Sequence, residues 1–480
     1  MNDIKLETPG AADLLDRDLT EVAALIRSGE ISPVEITRAQ LRRIEARDGA
    51  LRSYACVTAA SALQAARAAE AEIRGGRYRG PLHGVPIALK DLCRREGVPA
   101  AAGSTIHRST PADHDATVVR RLRDAGAVLL GQLQMTEGAY SDHHPAIAPP
   151  RNPWNADYWT GISSSGSAVA TAAGLCFAAT ASDTGGSIRW PCAANGLTGI
   201  KPTWGRVSRH GTVELAASLD HIGIVARSLR DAAVMLEAVA GADPLDPTAL
   251  QAPVPRYAQL ASGSIRGLRI GVDPDWNSMD VDAQTRSMLA AAAQTFQELG
   301  AELVPVRFPR AQAEQAVRDW APNCAVEAAV AHAGTYPSQK NEYGPVLAKV
   351  LDAGHALSGL DYQRLLLRRM DLRGQVDAMF TGIDAMLAPV QPMPPLTLHA
   401  ISTLGDQPGL IAALQRYTCV FNMTGHPCLT LPAGLCRAGM PMGLQLVAAR
   451  LDERTLFRLG AAFQSATCWH LHRPAPGKEA

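Results

Sequence analysis

The sequence has no surplus of either charge: 46 Lys and Arg face 46 Asp and Glu across 480 residues. Without a basic excess nothing draws it to nucleic acid or to an acidic membrane, so neither is an expected direct partner. Paired cysteines are missing too. The nine are scattered with no C-x-x-C, which argues against a zinc ribbon or a disulfide framework and fits a reducing, cytoplasmic setting. No run is long enough and apolar enough to span a bilayer. The longest soft stretch, Ala168 to Ala181, reads as a buried helix followed by a buried strand. The opening residues MNDIKLETPG lack the apolar core of a secretion signal. Internal repeats, low-complexity tracts and long linkers are absent as well. The only adjacent histidines, His143 and His144, would chelate poorly as a pair and are expected in a solvated loop. No metal or organic cofactor is called for.

What is present is an ordinary globular composition, 47% hydrophobic and 19% charged. Ser32-Pro33-Val34-Glu35 is a capping box with proline at the first helical position, predicting a helix to about Ala46. A second helix is expected over Ser61–Arg74, stopped by Gly75-Gly76. Val85–Leu89 is an apolar strand that delivers Lys90 at its end. Asp115 is placed as the cap of a helix to Asp124, with a strand over Ala127–Leu130. Ser228 caps a further helix, and a strand–helix–strand follows over Leu268–Val272, Ala283–Leu299 and Glu302–Val306. This rhythm implies an α/β protein, with a largely buried sheet covered by helices. Residues 1–480 read as a single domain, with a helical N-terminal segment over about 15–75. A variable, mostly helical insertion spans about 311–380.

Two serine- and glycine-rich stretches carry the chemistry: Gly161-Ile-Ser-Ser-Ser-Gly-Ser167 and Ser182-Asp-Thr-Gly-Gly-Ser-Ile-Arg189. Neither has the spacing of a P-loop or of G-x-G-x-x-G. Neither is the G-x-S-x-G elbow of an α/β-hydrolase. With thirteen histidines, a Ser-His-Asp site is not excluded by counting. A serine nucleophile needs a base, and a lysine serves if burial lowers its pKa. Lys90 follows five residues that are all apolar or proline. A lone lysine there more often snorkels to solvent, and a serine-rich loop is more often a plain turn. The glycine pair before Ser187 favours the catalytic reading, because bare backbone can turn its N–H groups toward an oxyanion.

At this point the chain resembles the amidase signature family. The carrying segments are Gly84-Val-Pro-Ile-Ala-Leu-Lys-Asp91, Asn152-Pro-Trp154, the two stretches above and Gly199-Ile-Lys-Pro-Thr-Trp-Gly-Arg-Val-Ser208. Ser218-Leu-Asp-His-Ile-Gly223, Asn422-Met-Thr-Gly425 and Met442-Gly-Leu-Gln-Leu446 add to them. The resemblance covers nearly the whole chain and is weakest between about Ala311 and Gln407. It implies a mixed central β-sheet with helices on both faces and a Ser-cisSer-Lys triad. The nucleophile then falls on Ser187 and the base on Lys90. The bridging serine falls on Ser163, 24 residues before Ser187, a choice over Ser164 that rests on spacing alone.

The family's oxyanion hole maps to the backbone N–H groups of Thr184, Gly185, Gly186 and Ser187, and Asp183 and Arg189 resemble the pair that braces this turn. Ile162 and Ser165 replace glycines that are usual in the family, which would narrow the entrance. Residues 134–140 correspond to a pocket wall, so Met135, Glu137, Gly138, Tyr140 and Ile162 are candidate substrate contacts. Gly138 stands where an aromatic is common and is expected to leave room for an acyl or aryl group. The implied reaction is two-step acyl transfer on a small amide, with anilide, carbamate and ester as further options, and a homodimer is a candidate assembly. Two other readings stand beside it: the glutamine-hydrolysing, ammonia-releasing chain of a tRNA-dependent amidotransferase, and a non-catalytic binding protein on the same fold.

Overall fold

Eleven strands order the described residues, which are 13–260 and 263–475 of this computed structural model. They are β1 (Tyr54–Val57), β2 (Pro86–Lys90), β3 (Val128–Leu133), β4 (Ala178–Asp183), β5 (Thr198–Lys201) and β6 (His221–Ala226). Then come β7 (Arg269–Val272), β8 (Glu302–Pro305), β9 (Ala385–Pro389), β10 (Cys428–Leu435) and β11 (Pro441–Ala448). They form one sheet in the order β1-β3-β2-β4-β6-β5-β10-β11-β9-β7-β8. Pairing is parallel for β2 with β3 and β4, and for β7 with β8 and β9; the other pairs are antiparallel. The mixed sheet expected from the sequence is therefore present.

Strands β2 to β6, β9 and β11 are buried at every position, so both faces of the central sheet are covered. This is why they read as continuous apolar runs rather than as alternating ones. The edge strands β1 and β8 keep exposed positions. Between 310 and 379 the chain is helical, in the pieces Arg310–Ala331, Pro345–Ala356 and Gly359–Met379.

Several local expectations change. The helix opened by Ser32 runs to Leu51, five residues beyond Ala46, and a strand, β1, interrupts the supposedly all-helical N-terminal segment. Asp115 is not a cap. Its carboxylate accepts the Glu96 N–H at 2.9 Å and pairs with Arg123, while the helix starts after Ala116. The carboxylate thus ties a neighbouring loop to the far end of the helix it was expected to start. The N-terminal decapeptide read for a secretion signal lies outside the described residues. None of the nine cysteines is paired with another. Among the described residues, no helix is long and apolar enough to cross a membrane.

Candidate active site

β2 and β4 run side by side and deliver the site from their C-terminal ends. The Lys90 backbone N–H donates to Thr180 Oγ1 at 2.9 Å, which fixes the end of β2 against β4. The Lys90 side chain does not snorkel; it is fully buried. Its Nζ meets three hydroxyls: Ser163 Oγ at 2.7 Å, Ser164 Oγ at 2.8 Å and Ser182 Oγ at 2.8 Å. Burial pushes the amine down to about 7, against the opposing pull of Cys93, Asp183 and Asp220. Near neutral pH the group therefore holds both charge states in appreciable amounts.

The two adjacent serines differ. Ser164 Oγ donates to the Ser182 carbonyl at 3.1 Å, so its one hydrogen is committed and it can only accept from Lys90. The Ser163 hydroxyl is not tied to a carbonyl in this way and faces Lys90. The Ile162–Ser163 peptide bond is cis. The Ser163 carbonyl accepts from Thr136 N–H at 3.3 Å, which seats the serine loop beside residues 134–136.

β4 runs into the turn Thr184–Ser187 and then into the helix Arg189–Asn195. Asp183 holds this turn from inside. Its Oδ1 accepts from Gly186 N–H at 2.8 Å, Arg189 Nη2 at 2.9 Å and Asn422 Nδ2 at 2.9 Å. Its Oδ2 accepts from Ile188 N–H at 3.1 Å and Arg189 Nε at 3.0 Å. Burial alone would raise this carboxyl; Arg189 more than offsets that and holds it below the usual carboxylate range. Thr184 Oγ1 donates to Asp220 Oδ1 at 2.6 Å, and Trp320 Nε1 donates to the Thr184 carbonyl at 2.8 Å. Ser187, at the head of the helix, is 6% exposed.

The glycines are required by their neighbours. A Cβ on Gly185 would meet the Trp320 ring at 2.6 Å, and one on Gly186, at φ +140°, would meet the Trp190 ring at 2.7 Å. The serine loop is docked onto the same helix: Asn195 Nδ2 donates to the Thr160 carbonyl at 2.9 Å, and a Cβ on Gly161 would strike the Pro191 backbone at 2.5 Å. One of the four expected oxyanion donors is corrected. The Gly186 N–H is engaged by Asp183, so Thr184, Gly185 and Ser187 remain as donor candidates.

The expected pocket wall is also revised. Met135 is fully buried in the core. Glu137 accepts from the Gly344 N–H with both oxygens, at 3.1 and 3.0 Å, and so anchors the start of the helix Pro345–Ala356. The space above Gly138 is not open: a Cβ there would meet Leu347 Cδ2 at 2.7 Å. An aliphatic from the helical insertion thus takes the place expected for substrate. Tyr140 stacks on Trp320, with ring centroids 6.0 Å apart. Ile162 packs with Trp159, Trp190, Val390 and Leu414. His143, expected in a solvated loop, faces Ser165 Oγ at 3.2 Å, and burial pushes its imidazole down to about 4.

Sequence reasoning missed Ser182, Trp190, Trp320 and Asn422 as parts of this site. Ser182 could have been flagged, since in-strand alternation from Thr180 puts its side chain on the Lys90 side. Asn422 stood in one of the segments that resemble the family but was given no role there, and the two tryptophans are brought in by tertiary packing and carried no local signal.

The chain belongs to the amidase signature family: the family model Amidase matches residues 35–457. It is 48% identical over 459 residues to "Putative amidase AmiD" of Mycobacterium tuberculosis, covering 95% of each chain. It is 39% identical to a glutamyl-tRNA(Gln) amidotransferase chain of Halorhodospira halophila, covering 95% of this chain and 99% of that one. The solved structure of a 6-aminohexanoate cyclic dimer hydrolase complexed with substrate superposes with a TM-score of 0.87 at 28% identity, over 96% and 99% of the two chains.

Proposed function

We propose that this chain hydrolyses carboxylic amides through an acyl-enzyme on Ser187, with Ser163 as proton relay and Lys90 as base. The observation that carries the reading is the dry Lys90 amine among three seryl hydroxyls, poised near 7. A neutral amine has two N–H bonds and one lone pair. Ser164 accepts one N–H, Ser182 accepts the other, and Ser163 offers its hydrogen to the lone pair. The relay serine is therefore Ser163, because the Ser164 hydrogen is already given to the Ser182 carbonyl.

In the first step Ser187 Oγ bonds to the amide carbon. Its proton passes to Ser163, and the Ser163 proton passes to Lys90. The oxyanion is met by backbone N–H groups of the turn, where each donor contributes roughly 10²–10³ in rate. The C–N bond then breaks as the relay returns a proton to the leaving amine or ammonia. Water enters by the same relay, and its attack releases the acid and restores Ser187.

The similarity to an amidotransferase chain supports a second reading, in which this chain needs partner chains to use its ammonia. Turnover of a simple primary amide by the purified single chain separates the two. Fluorophosphonate labelling followed by peptide mapping tests the nucleophile directly. An adduct on Ser187 is expected; one on Ser163 or Ser164 would overturn the assignment.

A further inference from the structure

A second wall of the site has no part in the proton relay. Trp190 lies one helical turn from Ser187, and Ile162 immediately precedes Ser163. They join Trp159, Val390 and Leu414 in one apolar cluster, with the Trp159 and Trp190 rings tilted at 6.1 Å. The segment 393–410 supplies the outer side through half-buried apolar residues such as Met393, Leu396 and Ile401. This segment is pinned in place by Trp159 N–H to the Leu396 carbonyl at 2.9 Å and Leu398 N–H to the Asp157 carbonyl at 2.8 Å.

One polar atom in this wall stands out. Trp190 is 6% exposed and its indole N–H is buried without a hydrogen-bond partner. The two ring-fusion carbons, Cδ2 and Cε2, each lie 2.7 Å from where a Cβ on Gly186 would be, so the indole packs against the turn and carries its unpaired N–H beside it. Trp320 gives the contrast. Its nitrogen-bearing edge sits over Gly185, with Nε1 3.0 Å from where a Cβ would be, and its N–H is satisfied by the Thr184 carbonyl. A buried donor left unpaired is costly, and an acceptor arriving with substrate would recover that cost.

We propose that Trp190, Trp159 and Ile162 form the specificity subsite for an aryl or similarly bulky apolar group of the amide, and that Trp190 Nε1 donates to a hydrogen-bond acceptor carried by that group. The proposal rests on the Ser187 reading above and names the substrate class of that site. Apolar walls select for size by contact area and shape. A built-in donor adds a preference that area alone does not supply, because a substrate lacking the acceptor leaves the donor unpaired.

The test compares kcat/KM for acetamide, benzamide and the three pyridinecarboxamides, which place one ring acceptor at three positions. The wild type is expected to favour benzamide over acetamide by at least about tenfold, and at least one pyridinecarboxamide over benzamide. Trp190→Ala should lower benzamide turnover at least about tenfold more than acetamide turnover. Trp190→Phe keeps the ring and removes the N–H, so it should retain most of the benzamide preference and lose the pyridine advantage. Equal losses on acetamide and benzamide in Trp190→Ala would make the residue a mere wall and overturn the subsite. A pyridine advantage unchanged in Trp190→Phe would overturn the donor. Fluorophosphonate labelling of Ser187 in all three proteins keeps the two readings apart: labelling with no substrate split sinks only the subsite, whereas absence of labelling in the wild type sinks the nucleophile.

Discussion

On one side of the catalytic turn stand Lys90, Ser163, Ser164 and Ser182, four polar groups that satisfy one another in a dry interior. On the other stand Trp190, Trp159 and Ile162, an apolar wall with a single unanswered donor. The first side closes its hydrogen bonds internally, so in the proposed mechanism it does not discriminate between amides that reach Ser187. The second leaves something for the substrate to complete. On the two proposals, chemistry and choice are carried by different residues around the same turn.

That division is broken or sharpened most strongly at Ser187. Ser187→Ala should cost on the order of 10⁶ in kcat, as loss of the nucleophile does in another serine hydrolase, and equally for every amide tested. A loss that varied with substrate would mix the two sides. Next comes Lys90→Arg, which keeps the charge and cannot deprotonate. A general base contributes roughly 10²–10⁴-fold, so this variant should lose at least that much at every working pH. In the proposed mechanism the reactive form of Lys90 is the neutral amine. With the amine lowered to about 7, the rate should fall as pH drops through that region and level off above it. A rate in Lys90→Arg close to wild type would remove the base role.

The paired serines give a finer test. Ser163→Ala removes the relay hydroxyl and should fall in the same rank as Lys90→Arg. Ser164→Ala removes an acceptor from Lys90 and a donor to the Ser182 carbonyl, and should lose less. It should also move the apparent pKa of the rate profile, since one hydrogen-bond partner of the amine is gone. Equal losses in the two variants would erase the distinction drawn between them. The smallest effect is expected at Gly138. At φ +56° an alanine there costs roughly 1–2 kcal/mol in a left-handed backbone, and its Cβ would press on the end of Leu347. Thermal unfolding should shift down while kcat stays near wild type, and a large kcat loss would return residue 138 to the pocket.

What the sequence made legible follows the same division. Lys90 and Ser187 stood out because each sits in a short segment whose chemistry is local: an apolar strand ending in a lysine, and a glycine pair before a serine. The buried sheet and its covering helices were legible from the rhythm of strands and helices, and the mixed pairing of that sheet from the family resemblance alone. Trp190 was invisible because its role depends on what lies across the turn, and Trp320 reaches the turn from a helix far along the chain. Gly138 misled for the same reason. A missing side chain is read as room only until tertiary packing is known, and here Leu347 fills it. Asp115 looked like a cap because local rules favour aspartate there, but an arginine and a loop claimed its oxygens.

The brace on the turn has a consequence in time. Arg189 and Asp183 are fastened by Asn422, and Arg189 also reaches Gln445 at 3.3 Å. All three residues of the proposed triad are synthesised before residue 188, yet Asn422 and Gln445, which hold the Asp183–Arg189 brace, emerge more than 230 residues later. At roughly 5–20 residues per second, a growing chain carries its serine unarmed for tens of seconds. A ribosome-stalled chain ending near residue 400 should therefore escape fluorophosphonate labelling although Lys90, Ser163 and Ser187 are all present, and release of the full chain should switch reactivity on. Robust labelling of the stalled chain would show that the turn assembles by itself.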